Sequence, residues 1–144
     1  MSELNIWTDG GYCISKGVGA YAYIILEGRK EIMRYAERVV HSTNNRCELM
    51  AIIEAVRKLP YGSVVCVNTD SQYCIGVLSG EYKRKKNVDL LGEWDALLRD
   101  RCWSVSFNWV RGHSGLRYNE MCDSMCDEAA GCNLNEYRLY FKKK

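Results

Sequence analysis

Two segments of the chain end alike: Ile6-Trp7-Thr8-Asp9-Gly10 and Val67-Asn68-Thr69-Asp70-Ser71 are each an apolar run closing on Thr-Asp and a small residue. If both runs are strands lying as parallel neighbours, Asp9 and Asp70 emerge at one sheet edge, one strand spacing of ~4.8 Å apart. Carboxylates that close repel, so either one holds a proton or cations neutralise the pair. Glu48, in the expected first turn of the helix before the second of these strands, and Asp123, in the expected first turn of the last helix, would reach the same edge. Four carboxylates converging from four elements call for a pair of divalent cations with oxygen ligands, Mg²⁺ or Mn²⁺ rather than zinc. Taken singly, Asp9 and Asp70 also fit turns begun by their own side chains, and Glu48 and Asp123 fit favourable charges on helix dipoles. His113, in Gly112-His113-Ser114-Gly115, reads by itself as a solvated loop side chain.

The elements that must place these residues follow from periodicity. Residues 4–8 read as a strand ended by an Asp9-Gly10-Gly11 turn, residues 20–26 as a second strand and residues 31–40 as a third, forming an antiparallel meander. Leu49, Ile52, Ile53, Val56 and Leu59 recur at helical spacing over residues 45–59, with Thr43 or Asn44 as the cap and Pro60-Tyr61-Gly62 as the stop. Residues 63–69 are a buried strand, 71–78 a short helix, 89–101 a helix, 105–110 a strand and 119–130 the closing helix, an order read as βββαβαβα. Right-handed crossovers would lay the later strands parallel to the first. The fold class is therefore α/β, a five-stranded mixed sheet of three antiparallel strands with parallel additions and helices on both faces. Loops at the carboxyl ends of parallel neighbours form the site in such sheets.

With 144 residues, 47% hydrophobic and 26% charged, the chain is expected to form one domain over residues 1–144. Its longest apolar run, seven residues at 20–26, is too short for a membrane span. The first residues lack a secretion signal, which points to a reducing, cytoplasmic setting in which the eight cysteines are free thiols packed as small hydrophobes. Two decoys fall away. Gly17-Val18-Gly19-Ala20-Tyr21-Ala22 runs into a strand instead of opening a helix, so it is no dinucleotide loop. Gly112-His113-Ser114-Gly115-Leu116 lacks the last glycine of a nucleophile elbow. The net charge is +2, and Lys83-Arg84-Lys85-Lys86 is a basic run that could touch a polyanion or merely be solvated.

At these residues the chain resembles the type 1 ribonuclease H family, which cuts the RNA of RNA/DNA hybrids. The matching segments are Thr8-Asp9-Gly10, Thr43-Asn44-Asn45-Arg46-Cys47-Glu48-Leu49, Thr69-Asp70-Ser71-Gln72-Tyr73, Lys86-Asn87-Val88-Asp89-Leu90, and Trp109-Val110-Arg111-Gly112-His113-Ser114-Gly115 followed by Asn119-Glu120-Met121-Cys122-Asp123. The resemblance implies a ribonuclease H-like fold and a monomeric endoribonuclease whose partner is an RNA/DNA hybrid. It implies that Asp9, Glu48, Asp70 and Asp123 hold two Mg²⁺ ions, with Mn²⁺ as a substitute, and that His113 assists proton transfer or product release. Gly10 and Glu48 match residues near RNA 2′-hydroxyls, Asn44, Asn45 and Gln72 match minor-groove contacts, and Thr43 and Asn87 match a pocket for a DNA phosphate. A hybrid's wide minor groove displays the 2′-hydroxyls that distinguish RNA from DNA.

The sequence departs from the family pattern in three places. The loop after the first strand has no proline, His41 stands where arginine is common, and the basic protrusion is cut down to residues 80–87 without tryptophan. Hybrid binding is expected to be weak and poorly processive. Two other readings are a DNA-processing nuclease of the same wider fold, opposed by Asn44, Asn45 and Gln72, and an inactive hybrid-binding module, opposed by the complete acid set.

Overall fold

A computed structural model describes residues 3–112 and 114–134. Among the described residues the elements are β1 (Leu4–Cys13), β2 (Val18–Glu27), β3 (Lys30–Val39), α1 (Asn44–Arg57), β4 (Val64–Thr69), α2 (Gln72–Ser79), α3 (Val88–Arg101), β5 (Ser104–Trp109) and α4 (Arg117–Ala130). The order is therefore βββαβααβα. The crossover from β4 to β5 holds both helices expected near 71–78 and 89–101, which the order βββαβαβα counts as one; Gly80 in the left-handed region ends α2, and residues 81–87 return the chain before α3 starts. The sheet order is β3-β2-β1-β4-β5, with β1, β2 and β3 antiparallel and β4 and β5 added in parallel.

β2 is buried on both faces, and its alternation sorts the core into two layers. Tyr21, Tyr23 and Ile25 face α1 and share one core with its Leu49, Ile52 and Val56 and, farther along the sheet, with Leu91 and Trp94 of α3. Ala20, Ala22 and Ile24 face the opposite way, onto Cys122, Cys126 and Ala130 of α4. The small side chains at 20 and 22 let a helix lie close to the sheet, and Cys122 and Cys126 pin it there: their thiols donate to the backbone carbonyls of Trp7 at 3.3 Å and Asp9 at 3.5 Å. Burial pushes the Cys122 thiol well above its ordinary pKa and so keeps it a donor. All eight cysteines are free thiols; Cys102 is exposed, unlike the packed cysteines expected from their apolar neighbours.

The expected turn at Asp9-Gly10-Gly11 does not form. β1 continues in pairing register through Asp9 opposite Ala22 and Gly10 opposite Tyr21 to Cys13, and the reversal comes at residues 14–17, where the Gly17 N–H donates to the Cys13 carbonyl at 2.9 Å. Gly10 serves a different need. A Cβ there would stand 2.6 Å from the Glu48 backbone nitrogen and 2.7 Å from the Cys47 carbonyl oxygen, so only glycine lets α1 cross β1 at this point.

Candidate active site

β1 and β4 are parallel neighbours, paired from Leu4 with Val65 to Trp7 with Asn68. Two residues beyond the last pair come Asp9 and Asp70. Glu48 approaches across Gly10, and one carboxylate oxygen from each of Asp9, Glu48 and Asp70 lies within 4.8 Å of the others. Asp9 is 3% and Glu48 7% exposed. Like charges gathered in so dry a place raise the folding free energy unless cations or hydrogen bonds offset them. The Gly10 N–H donates to Asp9 Oδ1 at 2.9 Å. The all-oxygen donor set, half-shielded from water, fits hard divalent cations.

Asp123 is buried on α4 but is not one of the three converging residues. α4 begins at Arg117 rather than 119, which puts Asp123 in its second turn; Glu48 likewise lies one residue past the first turn of α1. Asp123 follows Cys122 in α4, whose thiol is pushed up by burial first and then by Asp9, with Arg34 opposing and Asp123 and Asp70 adding smaller effects. His113 lies outside the described residues.

The loop beside His113 carries a residue that sequence reasoning passed over. A Cβ on Gly112 would stand 2.7 Å from Asp70 Oδ2, so the backbone at 112 forms a wall of the site. β5 delivers it: the Val110 N–H donates to the Thr69 carbonyl at 3.0 Å and Trp109 Nε1 to the Asp70 carbonyl at 3.2 Å. Glycine flanking the histidine was the available signal, but only the fold shows what it packs against.

Around this centre the other candidates divide. Asn45 and Gln72 are exposed at the starts of α1 and α2, where they could meet a ligand. The Asn44 carbonyl oxygen accepts from the Tyr12 N–H, so that side chain also ties α1 to β1. Thr43 Oγ1, rather than Asn44, caps α1 by accepting the Arg46 N–H at 3.1 Å. Asn87, in the left-handed region at φ 59, uses its side chain to accept from Arg46 at 3.2 Å and donate to Tyr73 Oη at 2.9 Å. Arg46 therefore links the two expected phosphate-pocket residues. It also forks onto Asp89 at 2.9 and 2.7 Å and holds that carboxyl well below the usual carboxylate range.

In the basic run, Lys83, Lys85 and Lys86 are exposed but Arg84 is half-buried and tied to its own chain. Its guanidinium donates to the Val77 carbonyl at 3.0 Å and to Asp95 at 2.5 Å, fastening the short protrusion to α2 and α3. The run presents three cations, not four.

The RNase H family model matches residues 1–131. The chain belongs to the RNase H family. It is 36% identical to the ribonuclease H of Trichodesmium erythraeum over 145 residues, covering 90% of this chain and 89% of that one. It is 32% identical to the ribonuclease HI of Campylobacter jejuni over 138 residues, covering 90% and 92%. LC11-RNase H1, solved in complex with an RNA/DNA hybrid, superposes with a TM-score of 0.77 at 21% identity, covering 89% of this chain and 96% of that one. The N-terminal RNase H domain of a Mycobacterium tuberculosis protein gives 0.75 at 21% identity, covering 91% and 95%. The mixed sheet and its helices on both faces are those of the RNase H fold.

Proposed function

We propose that this RNase H family member hydrolyses the RNA strand of RNA/DNA hybrids with the help of two divalent cations. The observation that carries the reading is the convergence of Asp9, Glu48 and Asp70 at the carboxyl ends of β1 and β4, in a chain whose relatives are named ribonuclease H. Asp9, Glu48 and Asp70 would hold the cations, Mg²⁺ or Mn²⁺, with Asp123 completing the acidic wall from α4. When bound there, two such ions supply activation of the attacking water and stabilisation of the departing 3′-oxygen, leaving 5′-phosphate and 3′-hydroxyl ends. The protein's own part is to hold the carboxylates against one another's repulsion and to keep the wall at Gly10 and Gly112 close enough to exclude a side chain. His113 would move a proton or help product leave.

Asn44, Asn45 and Gln72 would read the minor groove, Gly10 and Glu48 would lie near the 2′-hydroxyl, and Thr43 with Asn87, joined through Arg46, would seat a DNA phosphate. Lys83, Lys85 and Lys86 would add phosphate contacts. We take residues 1–144 as one catalytic domain acting as a monomer in the cytoplasm; among the described residues no helix is long and apolar enough to cross a membrane. The test is cleavage with Mg²⁺ of one sequence as RNA/DNA hybrid, duplex DNA and duplex RNA. Cutting of the hybrid's RNA alone supports the reading, and equal cutting of duplex DNA overturns it. Product ends that polynucleotide kinase labels only after dephosphorylation would mark the 5′-phosphate.

A further inference from the structure

The sheet face covered by α1 is left open at its β3 edge. α1 packs across β1 and β2, so side chains of β3 on that face project past it, and a cavity of about 440 Å³ remains between sheet and helix. The sheet wall is two cross-strand pairs, Tyr21 opposite Glu37 and Tyr23 opposite Tyr35. The helix wall is Met50 and Glu54 of α1 with the C-capping Lys58.

Tyr21 Oη donates to Glu37 Oε2 at 3.2 Å and Tyr35 Oη to Glu37 Oε1 at 2.7 Å, which fixes that carboxylate at the edge of the aromatic wall. The Tyr35 ring lies 6.3 Å from Tyr21 and 5.8 Å from Tyr23, centre to centre, tilted 54° and 41°. Rings that close leave no room between them, so a guest must lie along the wall. Glu37 and Glu54 bring two negative charges against the one positive charge of Lys58; Glu54 Oε2 is also 3.4 Å from Arg57 Nε, on a guanidinium shared with Glu93. The C-terminal end of α1 adds a partial negative charge. All three tyrosines are held protonated above the ordinary phenol range: by burial first and then by Glu37 and Glu54 for Tyr21, by burial first and then by Glu54 for Tyr23, and by the hydrogen bond to Glu37 first for Tyr35. The cavity is negative in character.

We propose that this cavity binds a protonated alkylamine. Tyr21 and Tyr23 are buried, so Tyr35 supplies the open ring that attracts a cation electrostatically, and the guest's methylenes can pack on it and on Met50. The two carboxylates accept N–H donors, which favours a primary or secondary ammonium over a quaternary one that has none to give. The volume is within the usual range for a small-ligand site. Asp9, Glu48 and Asp70 take no part, so the site is separate from the hybrid-cleaving centre.

Calorimetric titration of the whole chain at pH 7.5, without metal, with butane-1,4-diamine and with butane-1,4-diol tests this. Saturable binding of one diamine, with none of the diol, is the expected result. Glu37→Gln and Glu54→Gln should each weaken it at least tenfold, Asp70→Asn should leave it unchanged, and Glu37→Gln should cleave hybrid at the wild-type rate. A melting curve of each variant without amine checks the fold, and Glu54→Gln decides if Glu37→Gln is unfolded. No saturable binding at millimolar amine, equal binding of the diol, wild-type affinity in folded glutamine variants, or loss only in Asp70→Asn overturns the proposal. Failure of Asp70→Asn to lose cleavage bears instead on the proposed function.

Discussion

The backbone of Gly112 lies so close to Asp70 that a Cβ on it would be 2.7 Å from Oδ2. Gly112→Ala must therefore move either the loop or the carboxylate, and a misplacement of about 1 Å costs roughly 10²-fold in rate where geometry sets the reaction. Single-turnover cleavage of a hybrid should fall by about that factor, while the melting temperature changes little because the loop lies at the surface. Wild-type cleavage by Gly112→Ala would show that the wall at 112 has no bearing on the acid's position.

Clustered carboxylates carry a stability cost when no cation is bound. Asp9→Asn removes one negative charge from a group of three, two of them buried, and keeps the shape, so in the presence of a chelator it should raise stability by about 1 kcal/mol, or roughly 4 °C in a domain of this size. Differential scanning calorimetry with and without Mg²⁺ reads this directly, and the variant should gain less from added Mg²⁺ than the parent does. A lower melting temperature in chelator would mean the hydrogen bond from Gly10 to Asp9 outweighs the repulsion.

Much of this site could be inferred from the chain because its key residues sit at the ends of recognisable elements. Asp9 and Asp70 follow matching apolar runs, and a strand-helix-strand crossover makes such runs parallel neighbours. What stayed hidden depends on tertiary contact. Asp-Gly is a local turn signal, yet Gly10 is glycine because α1 crosses there, and the strand runs on to Cys13. Gly112 gives no hint of Asp70 until β5 is laid beside β4. Arg84 looks like its lysine neighbours, and only the approach of Val77 and Asp95 shows that its charge is spoken for. Helical periodicity places Asp123 in a first turn because it does not mark the start of α4 at Arg117. The two layers of β2 are obscured in the sequence because both faces are buried, which erases the apolar-polar alternation.

Three exposed lysines remain in the protrusion. Each phosphate contact contributes a slope of roughly −0.9 in log affinity against log salt for B-form DNA. Replacing Lys83, Lys85 and Lys86 by alanine should flatten the slope for hybrid binding by up to about 2.7, three times that figure, and leave the saturated cleavage rate nearly unchanged. Arg84→Ala should behave differently, lowering the melting temperature through loss of its ties to Val77 and Asp95. Affinities measured at several salt concentrations separate the two, and an unchanged slope in the triple variant would mean the lysines are only solvated.

Alkali should probe the tyrosine wall. Tyr21 has a folded-state pKa raised above its ordinary value of 10, by burial first and then by Glu37. The stability linked to its proton is thus fully present below pH 10 and is lost as the pH climbs toward the raised value, since the unfolded chain releases that proton first. Urea unfolding at pH 9, 10 and 11 should show wild type losing stability more steeply than Tyr21→Phe. Parallel losses in the two proteins would contradict the shift.

The central claim is that the carboxylates at the ends of β1 and β4 perform the chemistry by holding divalent cations. It is tested most directly by single-turnover cleavage of an end-labelled RNA/DNA hybrid with Mg²⁺, comparing wild type with Asp70→Asn at saturating protein. Loss of transition-state stabilisation worth several kcal/mol predicts a rate at least ~10³-fold lower in the variant. An Asp70→Asn protein that folds, binds the hybrid and still cuts it at more than about a tenth of the wild-type rate, a deficit under 1.4 kcal/mol, would contradict the account.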